Sequence, residues 1–134
     1  MRRMLAVVAM VCLAGAVAYA QDPVKVDPKH YKVVFENDKV RILDAKYGPK
    51  EKSVMHEHPA VVAIFLTDGQ IMFTFPDGKM EHQTMKAGES RAMAAGKHLP
   101  ENMGDKATEV IVVEMKGMTA PPPPPPAKKT PPKK

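Results

Sequence analysis

Between Gln21 and Ala120 the sequence breaks about every ten residues, and all but one of the breaks carry a dipeptide suited to a turn. The runs between the breaks, at residues 31–35, 40–47, 54–58, 61–67, 70–75, 80–85, 90–94, 98–103 and 107–115, are apolar or alternating and of strand length. Asn37-Asp38, Gly48-Pro49, Asp68-Gly69, Asp77-Gly78, Ala87-Gly88, Ala95-Gly96 and Gly104-Asp105 separate them. No segment carries an apolar stripe at helical spacing. Such a chain buries its apolar faces only by folding strands onto strands, which predicts an all-β domain: a single antiparallel β-barrel or double-sheet jelly roll. Asp68-Gly69, between "VVAIFL" and "QIMFTF", predicts a two-residue hairpin joining those two strands. Residues 61–66 are apolar at every position, so that strand is expected to be central and covered on both faces. The outer cover is expected from the amino-terminal arm at residues 23–32 or from a second copy of the chain, which leaves a homodimer open.

The two ends read differently from the middle. "MRRM" followed by "LAVVAMVCLAGAVAYA" has a basic start, an apolar stretch and small residues at Ala18 and Ala20. Residues 1–20 are therefore expected to be a secretory signal peptide, giving an exported, periplasmic or extracellular protein with no membrane span in its mature form. The single cysteine, Cys12, falls inside that stretch, so the domain at residues 21–120 has no disulfide and relies on its apolar core. The opposite end, "APPPPPPAKKTPPKK", lacks the backbone donors of a strand ladder. Residues 121–134 are expected to be a disordered tail, with an extended polyproline spacer and a basic tip suited to an anionic envelope surface. Setting aside Arg2, Arg3, Lys128, Lys129, Lys133 and Lys134, the domain carries 14 basic against 15 acidic residues. A near-neutral domain with no tryptophan and no basic stripe excludes a nucleic-acid footprint.

The chain has five histidines, and two of them stand one residue apart in "SVMHEHPAVVAIFLTDG". Side chains alternate along a strand, so His56 and His58 point to one face and Glu57 to the other. Two imidazoles form half of a metal site, because zinc or iron normally takes at least three protein ligands. His98, His82 and His30 are the candidates for a third. His98 follows the Ala95-Gly96 turn and opens a strand, a position from which it can face the same cavity, whereas His82 lies among polar residues in "KMEHQTM" and reads as surface. Asn102 reads as structural, bonding the backbone at the Gly104-Asp105 turn. Eight methionines are scattered through the domain and read as flexible core filler. No nucleophile elbow, phosphate loop or dinucleotide motif is present, and no separate catalytic acid or base stands out.

These residues resemble the two motifs of the cupins, small barrels of six to eight strands. The first motif runs glycine, His-x-His, glutamate, glycine, and Gly48, His56, His58 and Gly69 follow that order with two extra residues after Gly48. In the second, Gly88, Gly96, His98 and Asn102 match, with Ala94 in place of a proline and one residue fewer before the histidine. The resemblance covers about half of the domain, and it implies that His56, His58 and His98 are three of the four usual metal ligands. The glutamate position falls on Val62, or on Ala63 with a slip of one, and neither coordinates a metal. A three-histidine site still suits Zn, Fe, Ni, Cu or Mn, and its missing negative charge disfavours Mn. The resemblance places this site in a pocket expected to be lined by Val62, Ile64, Phe73 and Phe75. The expected function is that of an exported metal-binding barrel that takes a small organic substrate. Alternatives are a non-catalytic small-molecule or saccharide binding module of the envelope, and a structural dimer tethered through its tail. Whether the protein is an enzyme stays open.

Overall fold

A computed structural model describes residues 21–124; the expected signal peptide and residues 125–134 of the expected tail lie outside them. A one-turn helix, α1 (Pro23–Val26), leads into nine strands. They are β1 (Tyr31–Glu36), β2 (Val40–Tyr47), β3 (His56–His58), β4 (Val61–Phe65), β5 (Gly69–Thr74), β6 (Met80–Met85), β7 (Ser90–Met93), β8 (Gly96–Asn102) and β9 (Thr108–Met115). All pairings are antiparallel, in one sheet ordered β1-β2-β9-β4-β7 and a second ordered β3-β8-β5-β6. Consecutive strands pair only at β1–β2 and β5–β6; elsewhere the chain crosses from one sheet to the other, as in a jelly roll.

Alternation decides what each strand contributes to the interior. Along β4, Val61, Ala63 and Phe65 are buried while Val62 and Ile64 face outward. On β2, Leu43, Ala45 and Tyr47 are buried, and with Tyr31, Val61 and Val112 they form one half of the core. Ala63, Phe65, Ile71 and Met85 form the other half, and Met93 and Val110 pack against both. Burying one such large apolar side chain contributes about 1.5–3 kcal/mol, which is how a domain without disulfides holds two sheets together.

The hairpin expected at Asp68-Gly69 is not formed. β4 lies between β9 and β7, and β5 lies between β8 and β6, so the chain changes sheet at this point. Gly69 serves close approach instead: a Cβ there would stand 2.5 Å from Thr108 Cγ2, and Thr108 is itself buried. Asp68 ties the crossing to the turn before β7 by accepting from the Ala87 backbone N–H at 2.9 Å. β5 turns instead into β6, through a hairpin at Asp77-Gly78, where Gly78 has φ of 84° and Phe75 N–H donates to Lys79 O at 2.9 Å.

β4 does have neighbours on both sides, as a central strand should. The amino-terminal arm is not its outer cover. It folds into α1, packs against β1 and β3, and leaves Ile64 36% exposed. Asp22 caps α1 by accepting from Val24 N–H at 2.9 Å, and Pro23 supplies a preset first helical residue. The same carboxylate accepts from Arg41 Nη1 at 2.7 Å, which ties the arm to the interior of the five-stranded sheet.

Candidate metal centre

β3 pairs with β8 in a register that sets His56 directly opposite His98. Alternation along β3 puts His58 on the inner face with His56. The three rings stand 4.9 Å (His56–His58), 4.9 Å (His56–His98) and 5.3 Å (His58–His98) apart between centroids. One ligand atom from each lies within 4.8 Å of the other two, and among the described residues no other such group of histidine, cysteine and acidic residues forms. The structure thus brings together the three histidines singled out in the sequence. His82 is exposed on β6. His30 is buried apart from the trio, with Nδ1 at 2.7 and 2.8 Å from the Asp27 carboxylate oxygens and Nε2 at 3.0 Å from Glu51 Oε2.

Hydrogen bonds fix which nitrogens are free to coordinate. His56 Nδ1 lies 2.8 Å from Val54 O, which can only accept, so Nδ1 carries the proton and Nε2 the lone pair. His58 Nδ1 donates to Glu114 Oε1 at 2.6 Å, which leaves Nε2 facing inward in the same way. The His98 ring packs on Phe73 at 5.1 Å. Burial, reinforced by the neighbouring histidines, lowers the His56 pKa to about 4 and the His98 pKa to about 2. Both rings are therefore neutral near pH 7, as a metal ligand must be. Three imidazoles converging from two strands, His56 and His98 held neutral by burial, fit a divalent transition ion, with coordination positions left for water or substrate.

Glu114 is the member that sequence reasoning missed. It is 2% exposed, and its second oxygen accepts from Arg41 Nε at 2.5 Å. Burial works to raise its pKa, yet hydrogen bonds from His58 and Arg41 outweigh it and hold the carboxyl below the ordinary range. The chain Asp22–Arg41–Glu114–His58 thus runs from the arm to the centre through charge-assisted hydrogen bonds. Val61 is the register partner of Glu114, so a carboxylate enters beside the expected strand, from β9 rather than from β4. It reaches the far nitrogen of His58 instead of the centre itself. The available signal was an acidic residue at an inward position of the alternating run "TEVIVVEM".

Two of the expected pocket residues are misplaced. Val62 and Ile64 point out of the barrel because Val61, Ala63 and Phe65 take the inward positions of β4. The cavity beside the histidines is narrow, about 50 Å³, and almost wholly apolar, with Val61, Ala63, Phe65, Ile71 and Phe73 in its wall. Beside it lies a vestibule of about 400 Å³ that Phe75 helps to line, and the two spaces share His58, Val61, Phe73, Gln83, Met93 and His98. Phe73 lines both spaces, and Phe75 lines the vestibule alone. Tyr31 adds a hydroxyl to the cavity, 3.1 Å from His56 Nε2, and accepts from Tyr47 Oη at 2.6 Å. Burial pushes both phenols above their ordinary pKa. Asn102, fully buried, donates to the carbonyls of Tyr47, Gly48 and Lys106 and accepts from Gly104 N–H, the structural role its motif position suggested.

No protein-family model matches the chain, and no curated protein matches it. Solved structures do. A cupin domain from Bordetella pertussis superposes with a TM-score of 0.61 at 21% identity, covering 65% of this chain and 92% of that one. An RmlC-like cupin family protein with a double-stranded β-helix fold from Methanocaldococcus jannaschii gives 0.53 at 20% identity, covering 63% and 77%. A double-stranded β-helix domain protein from Klebsiella pneumoniae gives 0.53 at 21% identity, covering 65% and 76%. The chain has the cupin fold, a double-stranded β-helix of antiparallel strands.

Proposed function

We propose that this protein binds one divalent transition metal through Nε2 of His56, Nε2 of His58 and a ring nitrogen of His98, and offers it to a small organic molecule entering from the vestibule. The observation that carries the reading is the fixed proton arrangement of the trio. Val54 O and the Glu114 carboxylate each hold an Nδ1 proton, so two lone pairs converge with the His98 ring on one point. When bound, such an ion supplies Lewis acidity toward an oxygen-bearing ligand, or redox chemistry if it is iron or copper. The chain's own part is to exclude bulk water with the apolar wall, orient the imidazoles, and keep His56 and His98 neutral. Residues 1–20 support placing this activity outside the cytoplasm.

A second reading, a non-catalytic binding module, is favoured by one observation: the narrow cavity is walled by apolar residues, with Tyr31, Tyr47, His58, His98 and Gln83 as its polar members and no carboxylate or lysine. The first reading requires the metal and the second does not. Metal-free protein without a histidine tag, mixed with excess Zn(II) or Co(II) and separated from free ion, should retain one ion per chain. Retention of none would overturn the first reading and leave the second.

A further inference from the structure

We infer that Tyr31 is the specificity-determining donor of this pocket: its hydroxyl hydrogen-bonds the metal's exogenous ligand, and so selects molecules that present an anionic or carbonyl oxygen. The inference rests on the three-histidine reading above. Its starting point is a hydrogen-bond chain whose direction is fixed. Because His56 Nδ1 faces the Val54 carbonyl at 2.8 Å, Nε2 is the acceptor, and the Tyr31 O–H 3.1 Å away is the donor. Tyr47 Oη in turn donates to Tyr31 Oη at 2.6 Å, so that oxygen already accepts one proton while giving its own to His56.

A lone pair serves one partner. Once His56 Nε2 coordinates an ion, the Tyr31 proton loses its acceptor, while the Tyr47 hydroxyl still faces the Tyr31 oxygen. Tyr31 is not free to turn away. It is 4% exposed, opens β1 opposite Ala45, and packs its ring at 4.9 Å from His56 and 5.9 Å from His58. A buried donor left without an acceptor is costly, and the remaining walls are mainly apolar. An acceptor carried by the metal restores the pairing without turning the Tyr31–Tyr47 pair around: water in the resting protein, and the ligand's coordinating oxygen in the complex. Water or an oxygen anion satisfies Tyr31; a donor-only or apolar ligand leaves it unpaired.

The test uses Co(II)-loaded full chain, with the visible spectrum following azide binding. Tyr31→Phe should bind one Co(II) with an affinity equal to wild type or somewhat tighter, because the competing hydrogen bond to His56 is gone. Its azide affinity should fall about tenfold, the loss of one hydrogen bond to a charged acceptor. Azide affinity within about twofold of wild type would overturn the inference while leaving the metal site standing. So would a drop of more than about tenfold in Co(II) affinity, which would make Tyr31 a ligand rather than a donor. Failure of the wild-type chain to bind Co(II) would instead remove the metal-site reading and this inference with it. Tyr47→Phe keeps the Tyr31 hydroxyl but frees its orientation, and should weaken azide by about threefold. If Tyr31→Phe does not fold, an unchanged azide affinity in Tyr47→Phe overturns the proposal.

Discussion

At the scale of single residues, His58 shows how a candidate ligand is oriented by what stands behind it. Its Nδ1 proton is held by Glu114, and Glu114 is held by Arg41, so the ring presents one defined nitrogen to the cavity. Glu114→Gln keeps the shape but removes the charge that anchors both partners. It is expected to weaken Zn(II) affinity about 10- to 100-fold in a chelator competition titration, the usual effect of losing an outer partner of a metal ligand. An unchanged affinity would show that His58 is oriented by packing alone. This contact joins residues 56 positions apart in sequence, which is why it was not legible there. Periodicity identifies Glu114 as inward, but only the pairing of β9 with β4 identifies the residue it meets.

At the scale of elements, strand existence was carried by alternation and turn residues, and the pairing of strands was not. The run at residues 61–66 is apolar on both faces, so period-two reasoning had no polar residue with which to tell Val61 and Ala63 from Val62 and Ile64. His56 and His58, flanking the polar Glu57, had such a marker and were placed correctly. Asp68-Gly69 has the residues of a hairpin turn, but Gly69 is required by space, not by a positive φ. Gly69→Ala is therefore expected to cost about 1–3 kcal/mol in urea unfolding, from overpacking against Thr108 Cγ2. Thr108→Ser removes that methyl and should recover part of the loss in the double variant. If the double variant is no more stable than the additive sum, the glycine is needed for its backbone conformation and the crossing has been misread.

At the scale of the whole molecule, two sheets wrap an apolar core that gives way to a histidine cluster where β3 and β8 meet. That seam holds the three histidines, and the arm reaches it through Asp22 and Arg41. The fold and the histidine trio were both legible because each depends on local spacing: strand-length runs for one, His-x-His and a turn-flanked histidine for the other. The narrowness of the cavity and the tyrosine pair in it depend on contacts among β1, β2 and β3, and no local pattern announces them. His98, although 40 residues from His58 in sequence, is brought beside it in one cluster. Zn(II) affinity of His98→Ala, measured beside His82→Ala, tests whether that cluster is one metal site. A loss of more than about a hundredfold is expected in the first, beyond the range for an outer partner, and no change in the second. Equal losses in both, or none in either, would contradict it.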